Sequence, residues 1–253
     1  MQRWLLGTAV ALAVAAPAIA ADMPVKAPPI TKAPLAPIGY NWTGCYVDGG
    51  GGYGLFNQDS FTRGEDGATT SKVTNGGRGW FGTVGGGCDV QFGQSWVLGA
   101  FGDYDFAGLR GNVVVPGLNA VGREKETSAW AVGGRLGYTL TPTILTYVNA
   151  GYTQARFSGV DFFSQNNGAP TGLSIGAHTY SGWFVGSGFE YNLGFMPGLF
   201  WRTEYRYAQY NRDTLAILNS AGAQTGDSLA SDKTIQTIRS ELVWRFNWSG
   251  GRY

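Results

Sequence analysis

Apolar and polar residues alternate with a period of two along the chain from residue 41 onward. This is the period with which side chains alternate between the two faces of a β-strand. In WRTEYRY, residues 201–207, Arg202, Glu204 and Arg206 would share one face of a strand, and aromatic residues would occupy the other. Eight such segments predict eight strands. They are NWTGCYVDGGGGYG, WFGTVGGGCDVQF, WVLGAFGDYDF, WAVGGRLGYTL, ILTYVNAGYTQ, WFVGSGFEYNL, WRTEYRY and TIRSELVWRFNW.

The connections between these segments alternate in length. Three are short, at residues 93–95, 141–143 and 194–198, and four are long and polar, near residues 54–79, 107–128, 156–179 and 208–234. An even number of antiparallel strands with this alternation is typical of outer-membrane barrels. We therefore predict an all-β fold: an eight-stranded antiparallel up-and-down transmembrane β-barrel, with short periplasmic turns and long extracellular loops. The barrel domain would occupy residues 41–253.

The N-terminal segment has the composition of an export signal. Residues 1–20 carry Arg3, then an apolar run, then a small-residue cleavage site ending at Ala20, which predicts a signal peptide; a membrane anchor is the alternative. Residues 21–40 are proline-rich and predict an extended periplasmic linker. Removal of the signal takes away Arg3 and no acidic residue. The 18 basic residues of the full chain then become 17, which equals the number of acidic residues. A neutral chain of this kind does not have the composition of a nucleic-acid-binding protein.

The charged residues occupy one face of each predicted strand, and this face must contact either bulk water or the interior of a barrel. A soluble sandwich would leave the charged face in water, whereas a membrane barrel would turn it into a narrow lumen that side chains can fill. We predict the second arrangement, with a lumen plugged by charge pairs, in which Arg202, Glu204 and Arg206 find partners among Glu190, Arg239, Glu241 and Arg245 on the flanking strands. By parity the inward-facing charges are Asp48, Asp89, Asp103, Asp105, Glu190, Glu204 and Glu241, with Arg135, Arg202, Arg206, Arg239 and Arg245.

Tryptophan placement favours the membrane barrel. Tryptophans fall near both predicted ends of the strands, as two aromatic girdles at the two membrane interfaces would require. The predicted girdle residues are Trp42, Trp80, Trp96, Trp130, Trp183, Trp201 and Trp248.

Cys45 and Cys88 lie near the periplasmic ends of the first two strands, and parity places both on the lipid face. They should lie almost opposite each other, within bridging distance, so we predict a disulfide; two free cysteines are the alternative.

The chain resembles the small OmpA-like outer-membrane immunogenic proteins of alphaproteobacteria, which are labelled porin-family barrels. The segments that carry the resemblance are ADMPVKAPP, NWTGCYVDGGGGYG, GGGCDVQFGQSWVLGAFGDYDF, WRTEYRY and ELVWRF. The resemblance implies a barrel exposed at the cell surface, with no active site to transfer. It departs at the C-terminus, where either Phe246 or Tyr253 could serve as the aromatic residue of the assembly signal.

The function expected from these observations is a structural, surface-exposed role in the cell envelope without catalysis. A small diffusion porin is one alternative, and a barrel enzyme acting on lipid A or peptides is another. The enzyme alternative would need His178 to approach Asp103 or Asp105. The glycine run at 49–54 precedes no helix pattern and so predicts a strand rather than a phosphate-binding loop. One histidine and two distant cysteines do not have zinc-ligand spacing, and we expect no cofactor or metal.

The expected location is the cell outer membrane. The expected partners are outer-membrane lipids, lipopolysaccharide and the barrel-assembly machinery; peptidoglycan and a host surface remain open, and nucleic acid is not expected. We expect a monomer.

Overall fold

The computed structural model describes residues 40–246, which form twelve β-strands. The predicted signal peptide, almost all of the predicted linker, Trp248 and Tyr253 lie outside these residues. Within residues 40–246 no helix is long and apolar enough to cross a membrane. The strands are β1 (Gly44–Arg63), β2 (Val73–Phe92), β3 (Trp96–Ala107), β4 (Arg110–Val115), β5 (Ala120–Thr141), β6 (Ile144–Phe157), β7 (Val160–Ser164), β8 (Pro170–Ile175), β9 (His178–Asn192), β10 (Leu199–Tyr210), β11 (Asp213–Leu218) and β12 (Gln224–Phe246).

Eight of these strands close into an antiparallel barrel, which confirms the predicted fold. Their order is β1, β2, β3, β5, β6, β9, β10 and β12, and β12 pairs back with β1. We call this the lower ring. The three predicted short turns connect its strands at the periplasmic end, where Gly93 and Gly194 adopt positive φ angles of 62° and 72°. Glycine is favoured at such positions because it has no Cβ to clash with the backbone.

The long connections are more regular than predicted, because much of their length is β-structure. Strands β1, β2, β5 and β12 continue well beyond the lower ring, and β4, β7, β8 and β11 pair between them. The result is a second closed ring in the order β1, β2, β4, β5, β7, β8, β11 and β12, which we call the upper ring. A transmembrane strand needs about 9–11 residues. Since β12 has 23 residues, it is about twice as long as a transmembrane strand needs to be, and its residues Gln224 to Ser231 pair with β11 in the upper ring.

The outer face of the lower ring is apolar and accessible. Its exposed side chains include Val84, Leu98, Val132, Val148, Ile238 and Leu242. Tryptophan, tyrosine and phenylalanine side chains occupy both ends of this band, as expected for membrane interfaces.

The glycine run of residues 49–54 lies within β1, as predicted. A Cβ added at Gly50 would overlap the carbonyl oxygen of Ser240 on β12. The close approach of β1 to β12 therefore requires glycine at this position.

Candidate functional site

The interior of the lower ring is the candidate site, because it contains every charge that parity placed there. The charges form two tiers, and the tier nearer the periplasm is centred on Glu190 of β9. Its Oε1 accepts hydrogen bonds from Arg135 Nη1 at 2.6 Å and from Arg202 Nε at 2.9 Å. Its Oε2 accepts one from Arg245 Nη2 at 2.6 Å. One fully buried carboxylate thus joins three arginines from three different strands.

The remaining acids of this tier complete the pairing of the same arginines. Asp89 binds Arg135 through both carboxylate oxygens and accepts a hydrogen bond from Arg245 Nη1 at 2.7 Å. Arg202 Nη1 donates to Asp48 Oδ2 at 3.1 Å and to Glu241 Oε2 at 3.2 Å. Charge-assisted pairs of this kind are the stronger hydrogen bonds in proteins.

The second tier lies nearer the extracellular side. Arg206 makes a two-pronged contact with Asp103 at 3.0 and 2.8 Å, and its Nε donates to Glu204 Oε1 at 3.0 Å. Arg239 donates to Asp103 at 3.3 Å and to Asp105 at 3.1 Å. All twelve predicted interior charges therefore take part in one of the two tiers.

The predicted pairing is right for Arg202 and wrong for the other two charges of the strand. Arg202 does bind Glu190 and Glu241, but Glu204 pairs with Arg206 on its own strand, and Arg206 reaches Asp103 across the bore. Glu204 Oε2 also accepts hydrogen bonds from Tyr147 at 2.9 Å and Asn149 at 2.8 Å. An eight-stranded bore is narrow enough for side chains to meet across it, so adjacent strands do not limit the choice of partner.

An aromatic floor lies at the periplasmic end, and it corrects the predicted role of Trp42. Trp42 is fully buried instead of lipid-facing; it packs on Phe200 and under the guanidinium of Arg245, 4.9 Å from the ring centre. Its backbone N–H donates to Gln91 Oε1 at 2.9 Å. Trp42 lies four residues before the inward-facing Tyr46, so the period of two would have placed it inside as well. The same period would have placed Tyr46 inside, where it stacks against three of the arginines.

The other described girdle residues agree with the prediction. They are exposed on the outer face: Trp80, Trp96, Trp130, Trp183 and Trp201. Trp244 joins them at the periplasmic end. The predicted disulfide also forms: Cys45 and Cys88 are bonded and lie directly opposite each other in the β1–β2 register.

Above the two tiers the interior becomes apolar. A cluster that includes Phe56, Phe157, Tyr180 and Phe184 fills the junction of the two rings. A second cluster of Val113, Val115, Phe162, Ile217, Leu229 and their neighbours fills the upper ring. Two small cavities of about 10 and 30 Å³ lie beside the charge tiers, and a single water needs about 10–15 Å³.

A buried ion pair within this apolar region was not predicted. Lys233 Nζ donates to Glu124 Oε2 at 2.6 Å and to Gln58 Oε1, and it lies 4.2 Å from the ring centre of Phe157. Burial lowers the pKa of Lys233 and raises the pKa of Glu124. Burial also raises the pKa of the nearby Glu126 to about 8, and Glu126 Oε2 makes no hydrogen bond. Parity along β12 would have placed Lys233 inside with Arg239.

The single histidine does not assemble the arrangement that the enzyme alternative needs. His178 Nε2 lies 2.9 Å from Asp213 Oδ2 at the extracellular end, whereas Asp103 and Asp105 bind arginines in the lumen. His178 is therefore partnered with Asp213 in an extracellular pair. No group of three or more potential metal ligands occurs among residues 40–246.

A closed antiparallel barrel with an apolar, aromatic-edged exterior and a charged interior defines the class of integral outer-membrane barrels. Residues 6–250 match the family model described as the outer membrane protein beta-barrel domain, and the chain belongs to this family. The localisation is accordingly the outer membrane.

Relatives and structures agree with this assignment. The chain is 26% identical over 244 residues to the 31 kDa outer-membrane immunogenic proteins of Brucella melitensis biotype 1 and Brucella suis biovar 1, covering 94% of this chain and 97% of each relative. These matches confirm the resemblance drawn from the sequence. The fold is similar to the crystal structure of the outer membrane protein OprG from Pseudomonas aeruginosa, with a TM-score of 0.52 and 15% identity over 83% of this chain and 98% of that one.

Proposed function

We propose that the protein is a structural, surface-exposed component of the outer membrane whose lumen is closed and which catalyses no reaction. The observation that supports this proposal is the succession of packed layers inside the barrel within residues 40–246. An aromatic floor, two tiers of paired charges and two apolar clusters follow one another from the periplasmic to the extracellular end. A solute would have to displace buried ion pairs, which is strongly unfavourable because it leaves buried charges without partners.

Conductance across a planar lipid bilayer tests the closed lumen. We expect the refolded protein to insert without producing stable conductance steps. Large, long-lived steps in salt solution would contradict the proposal and favour the diffusion-porin alternative. Lipid A mass spectrometry on cells with and without the gene tests the enzyme alternative, and we expect identical lipid A masses.

Surface exposure needs a separate test, because a closed lumen does not by itself imply it. We expect Ala221→Cys, in the exposed turn between β11 and β12, to react with a membrane-impermeant maleimide on intact cells. Gln94→Cys, in the exposed turn between β2 and β3, is the matched control and should react only after the outer membrane is opened. The reverse pattern would mean that the barrel is inserted in the opposite orientation.

A further inference from the structure

Five basic side chains gather on one side of the barrel, just above the apolar band. They are Arg78, Arg110, Arg123, Lys125 and Arg156, and we call them the basic patch. None of them forms an ion pair with any residue in the range 40–246. Other extracellular basic residues do: Lys72 contacts Asp59 at 2.5 Å, and Arg212 contacts Asp232 at 3.0 Å.

The strand register places these like charges next to one another. Arg78 of β2 is directly opposite Arg110 of β4, and Arg110 is directly opposite Lys125 of β5. Like charges directly opposite each other destabilise a sheet. Asp161 of β7 lies one residue beyond the paired positions Gly122 and Phe162, and it forms no ion pair with Arg123. Among residues 40–246, no ion pair offsets the repulsion within the patch.

A β-bulge is responsible for turning part of the patch outward. In the pairing of β5 with β6, Glu126 faces Phe157 and Ser128 faces Arg156, so Thr127 is an extra residue. Without it, the parity set by the inward-facing Ala129 would send Lys125 and Arg123 into the apolar interior. Bulges re-aim side chains in this way and are common beside functional sites.

The height of the patch corresponds to the lipid headgroups. Trp80 is 73% exposed on the outer face and lies two residues from Arg78 on the same face of β2. At about 3.3 Å per residue, Arg78 is about 7 Å further along the strand than this girdle residue. Aromatic girdles mark the membrane interface, so the patch begins where the acyl chains end.

The surface between these side chains is concave. A hollow of about 550 Å³ is lined by Leu55, Gly76, Arg78, Arg110, Asn112 and Arg123. Gly76 faces outward and contributes no side chain, which leaves room beneath the arginines, and the half-exposed Leu55 supplies an apolar wall on the membrane side. The hollow thus combines three guanidinium groups with an apolar edge.

From this arrangement we infer that the basic patch is a binding site for the phosphorylated headgroup of an outer-leaflet glycolipid of the lipopolysaccharide type. An arginine guanidinium binds phosphate through two parallel hydrogen bonds. A phosphorylated sugar in the hollow would neutralise the opposed charges, while its acyl chains would run down the band below Leu55 and Trp80. The site takes a lipid rather than a free anion because it opens directly onto the membrane.

The test measures the affinity of the full-length protein, refolded in neutral detergent, for bisphosphorylated lipid A, for its dephosphorylated form and for inorganic pyrophosphate. We expect the bisphosphorylated form to bind most tightly. In the triple variant Arg78→Gln, Arg110→Gln, Arg123→Gln its Kd should rise by about tenfold or more. The double variant Lys72→Gln, Arg212→Gln is the matched control, since it removes extracellular cations that already have partners, and its Kd should stay within about twofold of wild type.

Three outcomes would overturn the site. They are equal binding of the dephosphorylated lipid, an unchanged Kd in the triple variant, or pyrophosphate binding as tight as that of the lipid; the last would indicate a free-phosphate site instead. The faster migration of the unheated protein in denaturing gels reports folding of each variant. Because the substituted side chains are exposed and repel one another, the lipid-free triple variant should fold at least as stably as wild type.

Discussion

The lower and upper rings share four continuous strands but invert the placement of polar and apolar residues. On β12, the lower half turns Arg239, Glu241 and Arg245 inward and Leu242 outward. On the upper part of the same strand Leu229 points inward into an apolar cluster and Asp232 faces outward, and the inward Lys233 is held in its ion pair with Glu124. The backbone geometry is the same in both halves, so the difference comes from the surroundings: hydrocarbon around the lower ring and water around the upper one.

The two rings are also stabilised differently. In hydrocarbon, burying an apolar side chain inside the barrel gains nothing over leaving it on the lipid face, so the lower ring is specified by ion pairs and hydrogen bonds. In water, the upper ring gains from removing apolar surface from solvent. Substitutions in one ring should therefore affect stability for different reasons than substitutions in the other.

The largest effect is expected from Glu190→Ala in the lower ring. This change removes the carboxylate that Arg135, Arg202 and Arg245 share, and we expect a loss of about 3–5 kcal/mol in the free energy of unfolding. Glu204→Ala is the comparison: its loss should be smaller because Arg206 keeps its two contacts with Asp103. Urea unfolding in detergent measures both, and equal midpoints for wild type and Glu190→Ala would refute the ion-pair account of the lower ring.

In the upper ring, Leu229→Ala should create a cavity in a fully buried apolar cluster. We expect a cost of about 2–5 kcal/mol, confined to the upper ring. Amide hydrogen exchange should accelerate in β4, β7 and β11 and remain slow in β3 and β10. Uniform acceleration in both rings would show that they unfold as one unit.

The outer surfaces can be compared on a single strand. Leu242→Arg would place a charge against hydrocarbon just inside the periplasmic girdle and should cost about 1–2 kcal/mol, between the costs expected at the middle of the membrane and at its interface. Thr234→Arg lies eight residues further along the same face, above the apolar band, and should change the stability by less than about 0.5 kcal/mol. Unfolding in liposomes measures the pair; similar costs for the two would place Thr234 within the membrane.

A pH dependence of the stability is expected from the junction of the rings. The pKa of Glu126 is about 8 in the folded protein, above its ordinary value of 4.5, so between these pH values the folded state holds a proton that the unfolded chain has released. Stability therefore falls as the pH rises through this window, by about 1.4 kcal/mol for each pH unit. Glu126→Gln should flatten this slope, which thermal unfolding at several pH values would detect. An unchanged slope would exclude Glu126 as its source.

Residue parity was enough to predict which side of each lower-ring strand faces the lumen, because one uninterrupted period applies to each strand. It could not predict the partners of Glu204 and Arg206, since contacts across the bore depend on the angular position of strands distant in sequence. The bulge at Thr127 reverses the parity of β5 without any marker in the sequence, which concealed the inward position of Glu124 and Glu126. The sequence predicts loops where the upper ring lies, because β4, β7, β8 and β11 have only five or six residues each, too few to show a clear period of two.

The seam between β1 and β12 has a consequence for the order in which the protein is made and folded. It pairs Cys45 with Phe246 and continues to Arg63 with Ser228. One edge of the first strand therefore stays unpaired until the last strand is in place. Contacts between such distant residues give the fold a high contact order, and topologies of this kind fold slowly. The disulfide between β1 and β2, by contrast, joins residues 43 apart and can form as soon as both strands have been exported. The periplasm can thus fix the register of the first hairpin by oxidation long before closure fixes that of the last.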